Sequence, residues 1–220
     1  MSRGRHRYPA SDLDAVYRVI YERRDMRHFV QGAMDEATLQ SLLEAANAAP
    51  SVGLSQPWRF VRITAHELRT RIHALVREEV QRTAEALGAR QDEFLRLKVE
   101  GLRDCAELLV AAVADGGKAE IFGRRTLPEM SLASVACAIQ NLWLAARAEG
   151  LGMGWVSMFE PDALARLLRM PTGVKPVALL CLGPVEAFYE RPMLVQTHWR
   201  QPRPLDALVF ENHWPGATPQ

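Results

Sequence analysis

The sequence predicts an α+β domain on three observations. Segments with apolar residues at helical spacing recur along the chain. Two continuous apolar runs of strand length, Glu107–Ala114 and Val177–Leu182, interrupt them. No internal repeat or linker divides the 220 residues. A chain of this length buries roughly 70% of its unfolded surface in one domain. Its 48% hydrophobic and 24% charged residues are ordinary globular values. The expected organisation is therefore a single domain over 1–220, with a core of about 12–189 and a C-terminal arm over 190–220.

Each element has a local cause. Leu13, Val16, Tyr17 and Ile20 have the i, i+3, i+4, i+7 spacing of a helix with one apolar face toward the core. A second helix spans Asp35–Ala48, with Asp35 as N-cap, Leu39, Leu42, Leu43 and Ala46 as the stripe, and Pro50 as the stop. Trp58–Ile63 reads as a strand. Leu68, Ile72, Leu75, Val76 and Val80 mark a longer helix, and Glu93–Arg103 another. Glu107–Ala114 is a buried strand, ended by Asp115-Gly116-Gly117, and Gly116–Pro128 is a loop carrying Lys118, Arg124 and Arg125. Ser131–Glu149 is a helix apolar on most sides and so central to the fold. Gly150–Gly154 leads into a strand at Trp155–Met158, Pro161 opens a helix over Asp162–Arg169, and Val177–Leu182 is the second buried strand. Beyond Glu190, Pro192, Pro202, Pro204, Pro215 and Pro219 exclude regular structure. The arm that results carries Trp199, Phe210 and Trp214, which call for a covering surface, and a homodimer is expected.

Composition excludes several functions. A net charge of +1 is too small for a nucleic-acid binder that relies on bulk electrostatics. The apolar runs Leu108–Ala114 and Val177–Leu182 are far short of a membrane span, and the basic segment Met1–Ser11 lacks the apolar stretch of a secretory signal. Cys105, Cys137 and Cys181 are scattered without metal-ligand spacing, as expected of buried free thiols in a reducing cytoplasm. No GxSxG occurs and no histidine falls in a triad motif, so nucleophilic catalysis has weak support, and without HExxH no metal site is expected.

The chemistry-bearing segments are few. Arg23-Arg24-Asp25-Met26-Arg27 closes the first helix with three guanidinium groups and one carboxylate. Guanidinium forks suit a phosphate, although a solvated helix end with Asp25 paired to a neighbouring arginine fits the same residues. Pro50–Trp58 is a rigid loop whose donors, including Ser51 and the Gln56 amide, suit a planar heterocycle or simply connect a helix to a strand. Gly150-x-Gly152-x-Gly154 is no dinucleotide fingerprint, because it ends a helix and enters a strand. Its glycines instead provide a C-cap and a close backbone approach to something flat. Ser157 lies in the strand that follows, where the sheet can satisfy its hydroxyl. Gln140 and Asn141 are amides on the apolar central helix and need backbone or ligand partners. Arg200 in the arm is one further cation, at a subunit interface or a ligand.

In this order, the segments resemble the nitroreductase-like flavin family: an arginine-rich turn after the first helix, a Pro-Ser loop ending in Gln56-Pro57-Trp58, and a Gly-x-Gly-Trp strand after the central helix. The resemblance runs from about Val16 to Gly183 and continues into the arm at Arg200. Within the family, the chain is similar to the 5,6-dimethylbenzimidazole synthase (BluB) group. The likeness rests on Asp25, where ordinary nitroreductases commonly have a serine, and on Ala49–Gly53, Leu97–Gly101 and Gly152–Ser157. It implies a homodimeric nitroreductase-like fold, with a central antiparallel-type sheet flanked by helices, an exchanged C-terminal arm and the site between subunits. It implies FMN as cofactor, consumed in its reduced form as substrate with molecular oxygen to give 5,6-dimethylbenzimidazole and erythrose 4-phosphate, and a separate flavin reductase as electron source. Arg23, Arg24 and Arg27 would hold the FMN phosphate and ribityl chain, helped by Ser51. Met26, Gln56, Asn141, Gly154 and Arg200 complete the expected binding set. Asp25 and Ser157 would both bind and catalyse. An FMN-dependent NAD(P)H nitroreductase or flavin reductase, or a flavin-binding protein without catalysis, is the alternative.

Overall fold

The computed structural model describes residues 6–114 and 122–215. In chain order the elements are α1 (Ala10–Glu22), α2 (Glu36–Asn47), β1 (Trp58–Arg62), α3 (His66–Ala86), α4 (Gln91–Leu95), β2 (Glu107–Ala114), α5 (Met130–Ala148), β3 (Gly152–Val156), α6 (Pro161–Leu167), β4 (Val174–Gly183) and α7 (Met193–Gln196). The strands form one sheet in the order β1-β2-β4-β3, with every neighbouring pair antiparallel. Residues up to Phe188 form one compact unit and those from Tyr189 on a second.

The central strands β2 and β4 are the two apolar runs, buried on both faces as continuous hydrophobicity requires. Leu109 faces Leu180 and Leu108 faces Cys181. Pro176 has no N–H to give a ladder, and it sits where the register slips between Ala111 and Ala112. On one face, Leu109, Ala111, Ala178, Leu180 and Leu182 pack against Leu39, Leu42 and Ala46 of α2 and Val135, Ala138, Ile139, Leu142 and Ala146 of α5. The alternate residues Leu108, Val110, Leu179 and Cys181 are equally buried on the other face, where α6 packs on β4 and α3 on α6.

Local signals set most boundaries. The Asp35 carboxylate accepts from the Thr38 N–H at 2.8 Å and opens α2, and Glu160 does the same for α6 ahead of Pro161. Gly150 takes φ 74° after α5, the left-handed turn that a C-terminal glycine allows.

Four expectations change. The apolar stripe of α1 does not face the core: the helix buries no residue, and Val16, Tyr17 and Ile20 are exposed. Periodicity reveals that a face needs covering but not what covers it. The predicted helix at Glu93–Arg103 is only Gln91–Leu95, because Glu100 turns back to accept from the Leu102 N–H at 2.6 Å and closes a turn instead. In the C-terminal unit, Pro192 initiates the short α7 instead of preventing it, since proline suits a helix start. Cys105 and Cys181 are buried, but Cys137 is exposed on α5. The predicted 116–128 loop lies partly outside the described residues, Lys118 included; Arg124 is 8% exposed, with its Nη1 on Ser131 Oγ at 2.8 Å.

Candidate active site

After α1 the chain runs extended along the outer edge of β3. The Met26 N–H donates to Met153 O at 2.9 Å, and Asp25 pairs with Met153 as an isolated parallel bridge. Period-two alternation then places Met26 in the core, fully buried, and turns Asp25 and Arg27 to the other side. Arg27 folds back as a fork: Nη1 donates to Asp25 Oδ1 at 2.6 Å and Nη2 to Oδ2 at 2.7 Å. The same Nη2 donates to Trp155 O at 2.8 Å, and the Trp155 N–H donates to Asp25 Oδ1 at 3.0 Å. Arg27 is 7% exposed, whereas the Asp25 side chain keeps 44% of its surface open. Burial pushes the Asp25 carboxyl above the usual range; Arg27, the Trp155 N–H and Arg23 pull it down, and burial prevails.

Arg27 was expected to hold a phosphate, but it is directed inward and orients Asp25. The bland reading holds in part: Asp25 does pair with a neighbouring arginine, but that partner is buried and the pair is not a solvated helix end. Gly154 has a cause other than a flat ligand: a Cβ there would overlap Met26 O and Arg27 Nη1. The absence of a side chain at 154 is what lets the 25–27 segment lie against β3.

The other two arginines stay at the end of α1. The Arg23 guanidinium lies 4.4 Å from the Trp143 ring centre, and burial lowers its pKa without removing its charge. Arg24 Nη1 donates to Tyr21 O at 2.7 Å and Arg23 O at 2.8 Å, which caps the α1 carbonyls. Trp143 Nε1 donates to Arg24 O at 3.2 Å and ties this turn to α5.

The same helix anchors the Pro50–Trp58 loop. Ser134 Oγ accepts from the Val52 N–H at 3.1 Å, and Asn141 Nδ2 donates to Ala45 O at 3.1 Å. Asn141 therefore joins α5 to α2, and Gln140, expected to be buried, is exposed. Ser51 Oγ accepts from the Gln56 N–H at 3.1 Å, so Ser51 shapes the loop. Leu54 and Gln56 adopt φ of 52° and 43°, costly conformations that persist only where the surroundings enforce them. Ser55 Oγ is buried with no partner. At 1.5 Å per residue, Ser134 and Trp143 set the loop and the arginine turn about 13 Å apart along α5.

Ser157 is exposed and lies one residue beyond β3, not within the strand, so the sheet does not satisfy its hydroxyl. It follows Trp155 by two residues, which places it at the Asp25 end of β3. Arg200 is exposed in the C-terminal unit, with its N–H on Leu194 O at 3.1 Å. Sequence reasoning missed Trp143, Ser134 and the Trp155 main chain as positioning groups. Trp143 and Ser134 carry no signal apart from the rest of the apolar helix Ser131–Glu149, and a backbone N–H leaves no mark in a sequence. Among the described residues, no group of three or more His, Cys, Asp or Glu could hold a metal ion.

The nitroreductase family model matches residues 20–184, and a 5,6-dimethylbenzimidazole synthase of Rhodospirillum rubrum is 41% identical over 87% of this chain and 90% of its own. The chain belongs to the nitroreductase family, in its 5,6-dimethylbenzimidazole synthase branch. A second nitroreductase-family relative, the 5,6-dimethylbenzimidazole synthase of Rhodobacter capsulatus, is 36% identical over 88% of this chain and 94% of its own. The nitroreductase fold recurs in a BluB-like flavoprotein from Clostridium difficile 630, at TM-score 0.68 and 18% identity over 89% of this chain and 97% of that one. It recurs also in an iodotyrosine deiodinase bound to FMN and 3-iodo-L-tyrosine, at TM-score 0.69 and 21% identity over 90% of this chain and all of that one. Among the described residues, no helix is long and apolar enough to cross a membrane.

Proposed function

We propose that this chain is a 5,6-dimethylbenzimidazole synthase that fragments reduced FMN with molecular oxygen, releasing erythrose 4-phosphate. The observation that carries the reading is Asp25: a carboxylate fixed by a buried arginine and a backbone N–H, yet open along part of its surface. The two curated relatives named for this activity support it.

The residues fit a flavin mononucleotide on two features of the structure. Ser55 Oγ is a buried hydroxyl still lacking a partner in the strained loop. About 13 Å along α5 lies a turn with Arg23 and Arg24, cations suited to the phosphate end. When bound, reduced FMN supplies the electrons for oxygen and the ring and chain that become products. Ser51 and Gln56 hold the loop, Asn141 keeps α2 on α5, and Gly154 admits the segment carrying Met26 and Asp25.

Breaking carbon bonds near the ring requires proton transfer at the ribityl chain. Asp25 takes that role. Arg27 and the Trp155 N–H fix both carboxylate oxygens, so no rotamer search precedes the transfer. The upward shift of its pKa makes it a better proton acceptor than an ordinary aspartate at the same pH. Ser157 Oγ offers a hydrogen bond beside it. The exposed face of α1, with Val16, Tyr17 and Ile20, and the aromatic arm with Phe210 and Trp214 are covered in a homodimer, and Arg200 reaches the site from the partner. Reducing equivalents come from a separate flavin reductase.

Asp25→Asn tests the role. The variant should bind FMN as the wild type does and lose nearly all benzimidazole formation. Product at the wild-type rate would remove Asp25 from the chemistry.

A further inference from the structure

A cavity of about 640 Å³ lies away from Asp25, lined by Thr64, His66, Arg69, Thr70, His73 and Arg103. Four of the six, His66, Arg69, Thr70 and His73, occupy i, i+3, i+4 and i+7 of α3, a polar stripe on a helix whose Ile72, Val76 and Val80 are buried. Thr64 and Arg103 complete the lining. Its size is within the roughly 300–1,000 Å³ of small-molecule sites.

The charge of this cavity is one-sided. No carboxylate is among its lining residues; Glu100 contacts the lining residue His73 at 3.3 Å, and Asp104 is engaged by Lys98 at 2.6 Å. Arg69 is fixed in the wall because Nη1 donates to Cys105 O at 2.8 Å and Nη2 to Ala106 O at 3.3 Å. Arg103 is exposed and has no ion-pair partner among the described residues. The N-cap of α3 is Ala65, which has no side-chain oxygen, and Glu67 stands in the first turn of the helix. A fixed guanidinium, a free guanidinium, two imidazoles and the Thr64 hydroxyl thus line one cavity, while the Thr70 hydroxyl is donated to His66 O at 3.0 Å. That arrangement suits a tetrahedral group with oxygens in several directions better than a planar carboxylate.

We infer that this cavity is a second anion site, for the phosphoryl group of a small phosphorylated molecule, separate from the flavin site. It stands on residues that the proposed reaction does not use.

The test is a titration of the full chain, saturated with FMN, with inorganic pyrophosphate at low salt, followed by the histidine ring resonances in NMR. The ring signals of His66 and His73 should move saturably while those of His28 stay. Arg103→Ala should weaken binding about tenfold or more, the effect of losing a charge-assisted contact. Arg71→Ala, an exposed arginine on α3 that does not line the cavity, should bind as the wild type does. Thermal melting of Arg103→Ala, expected unchanged, separates lost contact from lost fold. Citrate should bind more weakly than pyrophosphate. No saturable shift at His66 and His73, equal affinity after Arg103→Ala, or citrate binding as tightly as pyrophosphate would overturn the inference.

Discussion

Arg27→Met separates an arginine that supports Asp25 from one that binds phosphate. The substitution keeps an unbranched apolar stem in the buried position and deletes the fork. It removes two charge-assisted bonds to Asp25 and bonds to Trp155 O and Met26 O, leaving the carboxylate with the Trp155 N–H. Breaking a fully buried ion pair costs about 3–5 kcal/mol. Because 44% of the Asp25 side chain is open and can rehydrate, the low end applies, about 3 kcal/mol. Urea denaturation of wild type and variant reads the loss directly. The pH dependence gives a second check. Burial raises the Asp25 pKa in the folded chain, so folding favours its protonated form. The associated stability is present in acid and declines as pH rises through the folded-state pKa. Without Arg27 that pKa rises further, so the variant should lose less stability in mild acid than at neutral pH. A loss below about 0.5 kcal/mol, the range of a surface pair, would refute the reasoning. A selective drop in FMN affinity at unchanged stability would instead return Arg27 to the phosphate.

Gly154→Ala places a methyl group against Met26 O and Arg27 Nη1, and should cost about 1–3 kcal/mol in thermal or chemical unfolding together with most of the activity; a neutral result would mean that the 25–27 segment is not held against β3. Asn141→Ala leaves Ala45 O without its donor and should destabilise by about 1–2 kcal/mol in denaturant, with little effect on chemistry once the protein is folded. Ser157→Ala should slow product formation without loss of FMN binding, and unchanged turnover would make Ser157 a bystander. The double variant Val16→Glu, Ile20→Glu places charge on the exposed face of α1 and should convert a dimer to monomer by light scattering, whereas an unchanged mass would show that this face is not the interface.

The elements that carry their own signals were legible in the sequence. β2 was bounded to the residue because an apolar run met Asp-Gly-Gly, and α2 and α6 were bounded by Asp35 and Pro161. Glu93–Arg103 failed because helical spacing continues past Leu95, while Glu100 uses its carboxylate to close a turn. In the site, the sequence pointed to the right segment and the wrong division of labour. Three arginines in five residues look alike as a string, but alternation beside β3 buries one of them. Which of the three turns inward depends on Met26 bonding to Met153 and on the missing side chain at Gly154, both long-range facts. Ser157 was placed one residue too far inside its strand, a boundary that no capping residue marks.

The account rests most directly on the fate of FMN. Protein and FMN are mixed without oxygen, the flavin is reduced chemically, air is admitted, and the small molecules are measured by mass spectrometry. The account predicts loss of FMN matched by the appearance of 5,6-dimethylbenzimidazole and erythrose 4-phosphate. Quantitative return of oxidised FMN would contradict it and leave a reductase or a flavin carrier on the same fold.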